Sequence, residues 1–151
     1  MSRRSVRVAL WWASALYLAW ALAIGLWPDP VDRPLGAAIF RTLNFLHAHG
    51  LPQAVDYGVV EFAANVWFFI PVGLLCAALL PRRLWWGALL SGLALSSLIE
   101  LGQLLTSPGR YASWGDIIAN TIGTTLGVLV VVGIRGVIAW SAVRSDPTAP
   151  R

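Results

Sequence analysis

Four long apolar runs alternate with short polar segments along the 151-residue chain. The runs cover residues 8–27, 59–80, 84–105 and 117–134, and their only charged side chains are Glu61 and Glu100. A helix of about 20 mostly apolar residues is long enough to cross a bilayer. The pattern therefore predicts an all-α integral membrane protein, a bundle of four transmembrane helices.

The segments between the runs set the organisation of this bundle. The loop at residues 28–58 is long and contains four prolines, and its residues 35–49 form an amphipathic pattern typical of a helix lying on the membrane surface. Residues 81–83 are a very short connection, so spans two and three are predicted to form an antiparallel hairpin. We divide the chain into an N-terminal helix and loop (1–58), a three-helix core (59–140) and a disordered polar tail (141–151).

Composition excludes the other broad classes. Hydrophobic residues make up 58% of the chain and charged residues 12%, whereas soluble domains are about 45–50% apolar and about 25% charged. The single Cys76 excludes an intramolecular disulfide. The first run is longer than the apolar region of a signal peptide, about 7–15 residues, and we interpret it as an uncleaved span.

The basic residues predict the direction of the spans. All of them are arginines, placed beside the apolar runs, which argues against nucleic acid binding and is typical of membrane topology. The larger group of arginines lies before span one, between spans two and three, and after span four. Because arginines beside spans are retained in the cytoplasm, both termini are predicted to be cytoplasmic. Tryptophans are enriched in belts at the two membrane–water interfaces. Trp20 and Trp67 do not fit such a belt and are expected to pack within the helices. The larger group is Arg3, Arg4, Arg7, Arg82, Arg83, Arg135, Arg144 and Arg151, and the smaller is Arg33, Arg41 and Arg110.

Polar side chains inside the spans mark the candidate site. Such residues are costly in a membrane and indicate function by default. The predicted topology places all of them in one layer of the outer leaflet, where Arg110 is expected to pair with a carboxylate or to present its planar fork to a phosphate. The alternative is a purely structural role, in which these polar side chains satisfy one another and fix the helix register. The candidate ligand-binding residues are Asn65, Glu100, Gln103, Arg110, Asp116 and Asn120.

Two other features receive structural interpretations. Gly123 and Gly127 form a small-xxx-small pattern that indicates close packing between helices. His47 and His49 are too few for a metal site, and we expect neither a metal nor a cofactor.

Three segments together resemble motifs of the VanZ-like family. Residues 65–73 are similar to its N-x-x-x-F-x-P-x-G motif, and residues 96–103 to its S-x-x-I-E-x-x-Q motif. In residues 110–127, Arg110 and the D-x-x-x-N-x-x-G-x-x-x-G pattern that follows it resemble a third motif of the family. The resemblance covers about residues 61–132. It implies a small multi-pass protein of the bacterial cytoplasmic membrane and cell envelope, in a family whose namesake is linked to teicoplanin resistance.

These features favour a non-catalytic protein that binds an anionic membrane lipid or a lipid-linked cell-wall precursor, with antibiotic resistance as one outcome. The alternative is a membrane-embedded enzyme acting on a lipid-linked substrate, with Glu100 as acid or base and Asp116 as a second candidate catalytic group. Against an enzyme, the sequence has no clear nucleophile and too few carboxylates for a two-metal site. A transporter built from four spans would require a homodimer.

Overall fold

Five α-helices make up the structure, a computed structural model that describes residues 2–27, 34–106 and 113–145. They are α1 (Arg3–Gly25), α2 (Gly36–Ala48), α3 (Tyr57–Leu79), α4 (Trp85–Thr106) and α5 (Trp114–Arg144), and a 3-10 turn at Arg82–Leu84 leads into α4. Four helical segments, corresponding to α1, α3, α4 with its preceding turn, and α5, are long and apolar enough to cross a membrane. The four predicted spans are therefore confirmed as helices, and α2 forms where the amphipathic segment was predicted.

Side-chain caps fix where three of these helices begin. The hydroxyl of Ser2 accepts a hydrogen bond from the Ser5 N–H, a carboxylate oxygen of Asp56 accepts from the Val59 N–H, and Ser113 caps α5 in the same way. Each cap satisfies one of the backbone donors that a helix leaves free in its first turn.

The last helix is longer than the sequence pattern predicted. It ends at Arg144 instead of residue 134 and includes residues 141–144 of the segment assigned to the disordered tail. The chain contains neither glycine nor proline between Gly136 and Pro147, so no residue there interrupts the helix. The Arg144 guanidinium also lies 4.0 Å from the centre of the Trp140 ring, a stabilising cation–π contact. The rest of the predicted tail, residues 146–151, lies outside the described residues.

The closest helix pair is α3 with α5, and glycines make that approach possible. A Cβ atom at Gly123 would overlap the carbonyl oxygen of Val66, and one at Gly127 would overlap the carbonyl oxygen of Ile70. Gly73 meets the Thr124 carbonyl of α5 in the same way from the α3 side. The small-xxx-small pattern therefore packs helices, as interpreted from the sequence.

Helix α1 lies against α3 and α4 through both aromatic and polar contacts. The Tyr17 hydroxyl donates a 2.6 Å hydrogen bond to the Phe68 carbonyl, and the Trp20 ring lies 5.2 Å from the Phe68 ring. Trp20 thus packs against its neighbours, although half of its surface stays exposed. The expectation that Trp67 packs within the helices is wrong: its side chain is 74% exposed, because it lies on the face of α3 directed away from the bundle.

Most charged residues separate toward opposite ends of the bundle, whereas Arg41 lies on α2, which packs beside the start of α3. Within the described residues, the four carboxylates belong to the start of α3, the end of α4 and the start of α5, which meet at one end. The start of α1, the turn before α4 and the end of α5 meet at the other end and carry seven arginines. We call these the acidic end and the arginine end. The carboxylates are Asp56, Glu61, Glu100 and Asp116, and the arginines are Arg3, Arg4, Arg7, Arg82, Arg83, Arg135 and Arg144.

Candidate functional site

Six residues from three helices and one cap meet at the acidic end, and we call them the polar cluster. Two pairs are spaced four residues apart, on α4 and α5, so each pair lies on one helix face. The helix crossings bring these faces together with one side chain of α3. The polar cluster consists of Asn65, Ser96, Glu100, Ser113, Asp116 and Asn120.

Asn65 and Asp116 join α3 to α5. The Asn65 side-chain amide donates a 2.7 Å hydrogen bond to a carboxylate oxygen of Asp116. Asp116 also lies in the first turn of α5, where the helix dipole favours a negative charge. Its backbone N–H donates to the Ser113 hydroxyl at 3.3 Å, so the same residue is held through both backbone and side chain.

Glu100 holds the chain that leads into α5. Its side chain is 5% exposed, and one carboxylate oxygen accepts a 2.9 Å hydrogen bond from the backbone N–H of Ser113. The bond fixes the cap residue of α5 against the last turns of α4. The orientation of Asp116 therefore depends on Glu100 through Ser113.

Asn120 is a buried member of the polar cluster and carries an unsatisfied acceptor. Its amide nitrogen donates a 2.9 Å hydrogen bond to the fully buried hydroxyl of Ser96. Its amide oxygen is buried and has no hydrogen-bond partner within the described residues. Leaving a buried polar atom unpaired costs about 1–3 kcal/mol. The atom is a ready acceptor for a water molecule or for a hydroxyl or amine group of a ligand.

The other sequence-predicted candidates behave differently. The Gln103 amide donates a 2.6 Å hydrogen bond to the Gly25 carbonyl, so it ties α4 to α1 at the edge of the polar cluster. Arg110 lies outside the described residues. Within the described part of the chain, no three His, Cys, Asp or Glu side chains are grouped so that they could hold a metal ion.

Sequence reasoning missed Ser113, although a signal for it is present. Ser113 and Asp116 form an S-x-x-D pattern directly before an apolar run, which is typical of a helix N-terminus. It also missed the role of Tyr17, whose partner is a backbone carbonyl on another helix and leaves no trace in the residue pattern.

We expect Asn65 and Asp116 to be energetically coupled. A double-mutant cycle with Asn65→Ala and Asp116→Ala should give a coupling energy of about 1–2 kcal/mol, because the hydrogen bond involves a charged group and is partly buried. Stability in detergent would be measured by denaturant titration. The matched cycle of Asn65→Ala with Thr121→Ala should be additive, since within the described residues the Thr121 hydroxyl bonds only to the Ile117 carbonyl of its own helix. Additivity in both cycles would contradict the coupling.

One comparison with known proteins gives a match. A protein-family model described as VanZ/LLP1 matches residues 12–136, which include the whole polar cluster and parts of all five helices. No curated protein and no solved structure matches the chain significantly.

Proposed function

The chain belongs to the VanZ/LLP1 family, and we propose that this multi-pass membrane protein binds the headgroup of an anionic envelope lipid or lipid-linked cell-wall precursor at its polar cluster. We further propose that this binding protects the cell against teicoplanin. The observation that carries the proposal is the buried, unpaired amide oxygen of Asn120. It belongs to a cluster that also contains Asp116 of α5, Glu100 of α4 and the Asn65 amide of α3.

The separation of charge supports an outward-facing polar cluster. Arginines flanking spans are retained on the cytoplasmic side, so the arginine end faces inward in the proposed topology. Both chain termini are then cytoplasmic, and the acidic end opens at the outer leaflet of the bacterial cytoplasmic membrane. Lipid-linked precursors and a lipid-tailed antibiotic are both accessible from that side.

Recognition of an anionic headgroup requires a cation, and the proposal assigns that role to Arg110. A guanidinium group offers a planar, bidentate arrangement of donors that matches phosphate and carboxylate oxygens. In this proposal, Glu100 and Asp116 orient that cation and Asn65 completes the site from α3. The Asn120 oxygen accepts a hydrogen bond from a headgroup hydroxyl or amine. No step of this function needs a nucleophile or a bound metal.

The first test is protection of a sensitive bacterium. Cells would express wild-type protein, Glu100→Ala or Arg82→Ala at matched membrane levels, and inhibition by teicoplanin would be compared with inhibition by vancomycin, which lacks the lipid tail. We expect wild type and Arg82→Ala, which changes an exposed side chain at the arginine end, to protect against teicoplanin alone. Glu100→Ala should lose that protection, because Ser113 and Asp116 lose their support.

Two results would overturn parts of the proposal. Equal protection by wild type and Glu100→Ala would remove the polar cluster from the function. Conversion of a lipid-linked precursor by the purified protein, detected by product analysis and abolished by Glu100→Gln, would replace binding with catalysis by Glu100.

A further inference from the structure

A second feature lies between α4 and α5, and none of its lining residues belongs to the polar cluster. A groove of about 200 Å³ runs between the first turns of α4 and the middle of α5. Its lining is almost entirely apolar, and the single hydroxyl in it already donates a 2.7 Å hydrogen bond to the Thr121 carbonyl. The lining residues are Trp85, Leu89, Thr125, Val128, Leu129 and Val132.

The chemistry of this groove selects an apolar occupant. A cavity of this volume has room for more than one water molecule, each occupying about 30 Å³ in the liquid. A buried water needs about two to four polar partners, and the lining side chains offer only the Thr125 hydroxyl and the Trp85 indole N–H. A hydrocarbon chain needs no such partners and gains dispersion contacts along the groove.

Uncompensated positive charge lies next to the same groove. Arg82 and Arg83 are exposed in the turn that leads directly into Trp85, and they make no hydrogen bond or ion pair within the described residues. One helical turn beyond Val132, the Arg135 guanidinium donates to the carbonyls of Ala78 and Leu80 at 2.9 and 3.1 Å. These partners fix the guanidinium but leave its charge in place and other N–H donors unused.

We propose that the groove and these three arginines form a binding site for an anionic phospholipid of the adjacent leaflet. One acyl chain lies in the groove between α4 and α5, and the phosphate contacts Arg82 and Arg83 while Arg135 adds a fixed positive charge. The occupant is a lipid, because free phosphate would use the arginines and leave the apolar groove unfilled. The site is independent of the polar cluster and of the proposed function.

Native mass spectrometry of the detergent-solubilised protein tests the proposal. Phosphatidylglycerol and phosphatidylcholine with the same acyl chains would be titrated separately, and we expect phosphatidylglycerol to bind about tenfold more tightly. The R82Q/R83Q variant should lose about tenfold or more of that affinity, since each arginine near an anionic lipid contributes roughly a fivefold gain. Val132→Trp, which fills the groove, should weaken both lipids.

Matched controls separate the outcomes. Arg144→Gln removes an exposed arginine of the arginine end, and Val130→Trp adds an indole to α5 outside the groove, so both should bind phosphatidylglycerol like wild type. Circular dichroism would verify that every variant stays helical. Equal affinity for both lipids would overturn the proposal. Unchanged binding by Val132→Trp, or full competition by glycerol phosphate without acyl chains, would show headgroup attraction without a seated chain and would also overturn it.

Discussion

Gly127→Ala should destabilise the protein by about 1–3 kcal/mol or more, whereas Gly133→Ala should be neutral or stabilising by up to about 1 kcal/mol. Both glycines lie on α5, six residues apart, and both changes add one methyl group. At Gly127 that methyl overlaps the carbonyl oxygen of Ile70 and lies 2.6 Å from the Leu74 nitrogen, so it meets backbone that cannot rotate away. At Gly133, apart from the local helix backbone, no atom of the described residues lies within 4 Å of the added methyl group.

The two changes in stability differ because both sites gain helix propensity but only one of them has a steric cost. Alanine in place of glycine favours a helix by about 0.5–1 kcal/mol, and both sites receive this gain. Only Gly127 pays for moving α3 away from α5, which weakens every contact along the closest helix pair in the bundle. The measurement is unfolding in mixed micelles with increasing denaturing detergent, followed by the fluorescence of the nine tryptophans. Equal shifts for the two variants would contradict the proposed role of the small residues.

The spans could be predicted from the sequence because crossing a bilayer is a requirement on length and composition alone. Glu61 and Glu100 interrupt their runs only near the ends, so neither obscures the pattern. The convergence of Asn65, Asp116 and Asn120 was also predictable, since polar groups in an apolar span need one another and antiparallel spans bring their adjoining ends together.

Rotation about a helix axis could not be predicted in the same way. The spans are apolar on most sides, so their pattern carries little information about which face meets a neighbour. Trp67 was therefore placed inside the bundle, although it lies on the outside of α3. The partner of Gln103 was hidden for a related reason: it is the carbonyl of Gly25, and any residue could supply a carbonyl at that crossing.

The end of α5 shows a different limit. Residues 137–144 continue the helix, although they lie beyond the apolar run that predicted it. Hydropathy indicates how much chain fits in the membrane, whereas a helix ends where a breaker or a cap ends it. Arg144 and Trp140 extend α5 past the apolar run, and their contact depends on a helix already being present.

The double variant Ser96→Ala/Asn120→Leu should keep the fold while abolishing protection against teicoplanin. It removes both partners of a buried hydrogen bond and also the unpaired Asn120 oxygen, so no orphaned polar atom of this pair is left. Replacing both partners by apolar groups of similar shape is close to neutral for stability, or stabilising. The expected change in the free energy of unfolding is therefore within about 1 kcal/mol of zero, against a complete loss of protection.

This result would distinguish a binding site from a purely structural cluster. A binding site predicts that the variant stays stable and loses protection, whereas a structural cluster predicts that a stable variant keeps it. If the cluster served only to fix helix register, a variant as stable as wild type would protect as well as wild type. Unfolding titration and teicoplanin inhibition would be measured on the same membranes, with Ser97→Ala as the matched change on the exposed face of α4. Ser96→Ala/Asn120→Ala, which also removes both partners, provides a second test in case leucine is too large for the site. Full protection by a stable variant would assign Ser96 and Asn120 to packing alone.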